Sequence, residues 1–199
     1  MSLDGYPVVI PLRDGRTVTV RPMTAADGER LLRFFRALPE EDRQFLKEDV
    51  TQKEVVERFV AELDYERVFP LLAEYQGEIV GDATLHRTKH GWSTHVAAIR
   101  MVVARQFQRS GLATALARLL VQHAVNVGVD KMIAEIVDNQ VGARRAFAKL
   151  GFVEEAVLKG HVKDRSGVRR DLVIMANDVS HLWEAMEAMV ADFSPTVGA

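Results

Sequence analysis

"ARQFQRSGLATALARLL", residues 104–120, decides how this chain is read. It begins polar and basic and becomes a helix whose apolar face carries Leu112, Leu116, Leu119, Leu120 and His123, with Gly128 to cap the end. Where the two parts meet stand Ser110, Gly111 and Ala113, residues with little or no side chain. A helix N-terminus presents unpaired backbone N–H groups and a partial positive charge. An anion can sit there when no side chain blocks it. Gly111 has no Cβ, Ala113 only a methyl, Ser110 can cap the helix or offer a hydroxyl, and Arg105 and Arg109 add charge. These features suit a pyrophosphate lying across the start of the helix. A Walker loop needs Gly-x-x-x-x-Gly-Lys-Ser/Thr and a dinucleotide fingerprint needs Gly-x-Gly-x-x-Gly; the stretch has neither.

Upstream lies "STHVAAIRMVVA" (93–104), a nearly continuous apolar run that reads as a central strand. Before it, "VFPLLAEY" and "EIVGDATLHR" flank Gln76-Gly77 and read as a hairpin. Nearer the N-terminus, "RTVTVRPMT" (16–24) alternates as a strand. Thr24 and Asp27 then form a capping-box pair ahead of a helix with Leu31, Leu32, Phe34, Phe35 and Leu38. "EEDRQFLKEDV" and "KEVVERFVAEL" read as two further helices. Downstream, "KMIAEIV" is a strand, Asp138 or Asn139 can cap a short helix ending at Leu150-Gly151, and "FVEEAVLKGHVKDRSGVRRDLVIMA" gives two strands around a turn at Asp164–Gly167. The order of elements predicts one α/β layer structure with a mixed sheet. A final helix carries Leu182, Met186, Met189 and Phe193 on one face.

Composition narrows the function class. A net charge of -2 gives no broad electrostatic reason to bind nucleic acid or an anionic membrane. With no cysteine, thiolate nucleophiles, disulfides and cysteine-ligated metals are excluded, which fits a reducing cytoplasm. The first residues, "MSLDGYPVVIPL", lack the pattern of a signal peptide, and no apolar run is long enough to span a bilayer. His86, His90 and His95 lack a matched carboxylate arrangement, so no metal site is expected.

The run Gln108-Arg109-Ser110-Gly111-Leu112-Ala113, directly after a long apolar strand, resembles the Q/R-x-x-G-x-G/A signature of the GNAT superfamily of acetyl-CoA-dependent N-acyltransferases. Strand, signature, amphipathic helix, strand, "DNQ", short helix and "KLGF" follow in that family's order, and "VRPMTAAD" resembles the opening of many members. The resemblance spans residues 16–177 and is closest to bacterial GNAT domains of the protein-lysine acetyltransferase kind. It implies a mixed, mostly antiparallel central sheet flanked by helices on both faces. Residues 1–15 are then an N-terminal arm and residues 178–199 a C-terminal amphipathic helix with a frayed end.

The resemblance also implies a cosubstrate and its residues. Acetyl-CoA would place its pantetheine arm along the backbone of Met101, Val102 and Val103, and its diphosphate on Gln108, Arg109, Ser110, Gly111, Leu112 and Ala113. Asn139 matches an asparagine that touches the pantetheine side. Two positions depart from the family. Phe147 stands where many members have a proton-donating tyrosine, and Ala97 and Ala98 stand where many have a glutamate base. A thiol with a pKa near ~8.5 leaves without an acid, whereas an amine near ~10 must lose a proton before it attacks. Glu74, Asp82, His86 and His161 can substitute as bases, and His86 is preferred because histidine titrates near neutrality.

The expected activity is acetyl transfer from acetyl-CoA to a primary amine by direct attack in a ternary complex, since no cysteine can carry the acyl group. The acceptor is a small molecule or a protein lysine. Glu40, Glu41, Asp42, Glu48 and Asp49 would give its site a negative rim. The alternative is a catalytically impaired acyl-CoA-binding sensor module, supported by Phe147 and the missing carboxylate. A third reading is an interaction domain built on the C-terminal helix. That helix packs on its own domain or forms a homodimer contact.

Overall fold

The computed structural model describes residues 5–43, 46–164 and 167–181. The C-terminal stripe of Leu182, Met186, Met189 and Phe193 lies outside the described residues. Among the described residues, eight strands form one sheet: β1 (Val8–Pro11), β2 (Thr17–Pro22), β3 (Val68–Tyr75), β4 (Glu78–Arg87), β5 (Val96–Val103), β6 (Lys131–Val137), β7 (Val153–Lys163) and β8 (Arg169–Asp178). Their spatial order is β1-β2-β3-β4-β5-β6-β8-β7. Every neighbouring pair is antiparallel except β5 and β6, which are parallel. Helices α1 (Gly28–Ala37), α2 (Glu40–Arg43) and α3 (Lys53–Ala61) precede β3; α4 (Leu112–Asn126) joins β5 to β6; α5 (Val141–Lys149) joins β6 to β7. This is the mixed, mostly antiparallel sheet with helices on both faces.

Alternation decides which residues meet which helix. Gly81, Ala83 and Leu85 of β4 pair across from Val103, Met101 and Ile99 of β5, so all six share one face. That face packs on α4. A Cβ on Gly81 would stand 3.2 Å from Leu116 and 3.4 Å from the Cβ of Ala73, so glycine is what lets the helix lie this close. Leu112, Leu116 and Leu120 are fully buried there, each contributing roughly 1.5–3 kcal/mol. The opposite face carries Asp82, Thr84 and His86 of β4 beside Val102, Arg100 and Ala98 of β5. On that side α1 buries Leu31, Phe34 and Phe35.

The structure differs from the expectations at three places. Residues 8–11, within the stretch read as an arm, pair with β2 as an edge strand, because Val8–Pro11 finds an open ladder there. Of the helix expected over 40–50, the described residues are helical at Glu40–Arg43 and not helical at 46–50. Its sequence has too few apolar residues to hold a longer helix on the core. The cap of α5 is Gln140, not Asp138 or Asn139. The Gln140 side chain accepts a hydrogen bond from the backbone N–H of Val137 at 3.0 Å, folding the turn back on β6.

Candidate active site

The register of β5 locates the site. Toward β4 the pairing continues to Gly81↔Val103, but toward β6 it stops at Ala98↔Ile133. Beyond Ala98 the parallel strands part, leaving one edge of β5 without a ladder partner over Ile99–Val103. The backbone N–H of Ala104 donates to Val80 of β4 at 2.8 Å. Successive residues alternate sides, so Val102 also addresses β4, whereas Met101 and Val103 turn their N–H and C=O groups to the open edge. Of the three residues expected to pair with pantetheine, two therefore present backbone there. Val102 presents its side chain to the sheet face instead.

The open edge leads into the loop at 105–111. Gly111 is the N-cap of α4 with φ 93, a left-handed conformation that glycine adopts without strain. Arg109 is also left-handed, at φ 62. The first intrahelical bond runs from Ala115 to the carbonyl of Gly111, so N–H groups of the first turn face the loop. Ser110 is 3% exposed, and its hydroxyl points inward, donating to the Phe107 carbonyl at 2.6 Å. It also accepts from the Leu112 N–H at 3.4 Å, at the start of α4. Leu112 is likewise core, while Gln108 and Arg109 are exposed. Arg105 forms an ion pair with Glu41 at 3.0 Å.

The β1–β2 hairpin braces this loop, a contact the sequence gave no sign of. The Arg13 N–H donates to the Ser110 carbonyl at 2.9 Å. Arg16 lies 3.7 Å over the Phe107 ring and donates to the Gln106 carbonyl at 2.6 Å. Asn139 is exposed in the turn after β6.

A set of charged groups gathers on the sheet face that carries Arg100. Ala98↔Ile133 alignment puts Glu135 of β6 level with Arg100, across the point where the strands part. Lys47 donates to the Glu135 carboxylate. Glu135 reads in sequence as the solvent side of an alternating strand; only the sheet order shows that it faces the opening. His86 sits on the same face with its ring nitrogen 2.9 Å from the Thr84 hydroxyl. Burial, followed by Arg100 and Lys47, lowers its pKa to about 4 against a smaller opposing effect of Glu135. His86 is thus neutral at pH 7 but a weak base. It also borders a hollow of about 270 Å³ lined by Ser93, Val96, Ala98 and Ile133.

The other substitute bases are less suited. Glu74 is held by Arg21 at 2.5 Å and Arg30 at 2.9 Å. His161 is exposed on the edge strand β7. Asp82 is on β4, on the Arg100 face but cross-strand from Val102 on the closed side of β5, and burial pushes its carboxyl up to about 7. Phe147 is 8% exposed and packs edge-on against Phe152 at 5.1 Å, so that side chain is core. The acidic rim is largely compensated: Glu41 pairs with Arg105, Glu48 with Arg58, and Asp49 accepts from Thr51. Among the described residues no cluster of three metal-ligating side chains occurs, and no helix is long and apolar enough to cross a membrane.

Known proteins share this arrangement. The model of the acetyltransferase (GNAT) family matches residues 32–152, more than half of the chain. The chain resembles RimJ of Mycobacterium smegmatis, solved in complex with CoA-disulfide, with 27% identity, a TM-score of 0.75 and coverage of 95% of this chain and 96% of that one. It has the fold of the GNAT domain of S. lividans PAT, at 23% identity, TM-score 0.74 and coverage of 89% and 99%. The ribosomal-protein-S18-alanine N-acetyltransferase of Escherichia coli shares the fold at 20% identity, TM-score 0.63 and coverage of 81% and 94%. No curated protein matches the chain in sequence.

Proposed function

The chain belongs to the GNAT acetyltransferase family, and from that premise we propose that it transfers an acetyl group from acetyl-CoA to a primary amine by direct attack in a ternary complex. The observation that carries this reading is the unpaired edge of β5 beside the glycine-capped start of α4, where the Arg13 side chain lies about 3.6 Å from the position a Gly111 Cβ would take. Acetyl-CoA supplies the activated thioester. Met101 and Val103 would align the pantetheine amides as an added strand, and the first-turn N–H groups after Gly111 would hold the diphosphate. Gln108 and Arg109 flank it, and Asn139 would touch the pantetheine side.

Glu135 replaces His86 as the proposed acceptor of the amine proton. It is an exposed carboxylate past the parting of the strands, whereas His86 stands two residues farther back on the face, half-buried against the Thr84 hydroxyl. Glu135 also supplies the carboxylate that Ala97 and Ala98 lack, which removes the main support for an impaired binding module. Ala97 faces the α4 core at 2% exposure and leaves no room for a charge. The acceptor is a primary amine of a small molecule or a protein lysine, entering on the Arg100 face.

The test is a pair of melting curves with and without acetyl-CoA, for the parent and a Gly111→Glu variant. Ligand at about 100 times its dissociation constant adds roughly 2.7 kcal/mol. For a chain of this size the midpoint should rise by about 5–10 °C. The rise should vanish in the variant. On binding, the amides of Met101 and Val103 should become protected from hydrogen exchange while that of Val102, already facing β4, changes little. A parent that does not respond to acetyl-CoA would refute the reading.

A further inference from the structure

One lysine of this chain is held at the parting of β5 and β6, where the proposed reaction would bring the acceptor amine. Lys47 donates to Glu135, the carboxylate level with Arg100, two residues past the last β5–β6 pair. It also lies close enough to His86 to act on that ring's charge. Its side chain is 49% exposed, so the contact is not forced by packing. A long, partly solvated cation held at this point is stereochemically a primary-amine substrate tethered to the protein.

We infer that Lys47 is a site of self-acetylation: its Nζ attacks the thioester of acetyl-CoA bound in the same molecule. The inference rests on the proposed acetyl-CoA site. Lys47, once neutral through loss of a proton to solvent, forms the new C–N bond to the acetyl carbon. The C–S bond breaks and its electron pair leaves on sulfur. The remaining amine proton to be lost passes to the Glu135 carboxylate and then to the thiolate, giving Nε-acetyl-lysine and free coenzyme A. The product carries no charge, so its ion pair with Glu135 is lost. Glu135 is then open to an external amine, which makes the modification a release of a self-occupied acceptor site.

Lys53 is a built-in control. It is more exposed, at 63%, and pairs one helical turn away with Glu57, so indiscriminate chemical acetylation would label it at least as fast. The experiment incubates the full chain with acetyl-CoA and follows both lysines by peptide mass spectrometry, alongside the melting shift. Lys47 should acquire one acetyl group at least about 10-fold faster than Lys53, at a rate independent of protein concentration, as an intramolecular step requires. Excess coenzyme A should suppress Lys47 labelling and leave Lys53 unchanged. Glu135→Gln should slow Lys47 by about 10²-fold without affecting Lys53. Equal labelling of the two lysines, or labelling of Lys47 that ignores coenzyme A, in a protein that acetyl-CoA does stabilise, overturns the self-acetylation and leaves the acetyl-CoA site standing. Absence of any stabilisation by acetyl-CoA overturns both.

Discussion

Toward β4, strand β5 is paired without interruption from Gly81↔Val103 to Arg87↔Ala97; toward β6 it is paired only from Val96↔Lys131 to Ala98↔Ile133. The two sides of one strand thus do different work. The closed side joins the ladders of β2, β3 and β4, and its polar groups are paired or buried for the sake of the fold. On the open side, backbone groups of Met101 and Val103 have no strand to bond, and a ligand can take the place of the missing strand. Substitutions on the open side should change transfer and binding while sparing stability. Those on the closed side should do the reverse.

The largest effect is expected from Glu135→Gln on the open side. Acetyl transfer to an amine should fall by about 10²–10⁴-fold, with the melting temperature and the acetyl-CoA shift nearly those of the parent. A variant that retains activity within a few fold would remove Glu135 from the chemistry.

Asp27 tests the closed side. It is 2% exposed and accepts from Arg21 at 2.8 and 2.6 Å and from the Thr24 backbone at 2.7 Å. Burial pushes its carboxyl up, but the hydrogen bonds from Arg21 and Thr24 outweigh burial and bring it to about 2, below the ordinary 3.8. Asp27→Ala leaves Arg21 and Thr24 without that partner and should cost about 3–5 kcal/mol, a fall near 10 °C in the melting midpoint. Acetyl-CoA should still stabilise whatever folded protein remains. Because the folded value is depressed, this stabilisation is present above pH 3.8 and is lost as the pH falls from 3.8 toward 2. Acid titration of the parent and variant melts should converge in that window.

Asp82 has the opposite sign and a smaller effect. It has no hydrogen-bond or ion-pair partner among the described residues, and burial alone raises it from 3.8 to about 7. The folded protein keeps a proton there that the unfolded chain gives up, so stability declines as pH rises from 3.8 to about 7. Asp82→Asn carries no charge to desolvate and should be more stable than the parent at pH 8 by on the order of 2–4 kcal/mol. The advantage should shrink to near nothing at pH 4. A difference that does not vary with pH would show that the carboxyl is not desolvated. Two aspartates on the closed side, one paired and one not, therefore shift stability in opposite directions along the pH axis.

Much of this was legible in sequence because it is local. The turn at Gln76-Gly77 needs positive φ at both residues, and the chain supplies φ 50 and 84. The leucine stripe of α4, the left-handed cap at Gly111 and the continuous apolar run of β5 each announce themselves within one window of residues. The loop at 108–113 leads into a helix start without bulk, as its sequence predicts. Its division of labour was not legible, because whether the Ser110 hydroxyl points in or out depends on Phe107, and whether Arg105 is free depends on Glu41. The edge strand at 8–11 escaped for the same reason: four residues of strand are stable only against a neighbour that is distant in sequence.

The amino-acid order by itself determined the elements, the mixed sheet and the left-handed, side-chain-free cap at Gly111, since propensity, periodicity and side-chain bulk act over a few residues. The tertiary structure alone decided where the ladder of β5 ends and which side chains meet there. Glu135, Lys47 and Arg100 come from three separate segments, and nothing in any one segment marks it as facing the others. Their meeting depends on strand order and register, which are set by how the two faces of the whole sheet are buried.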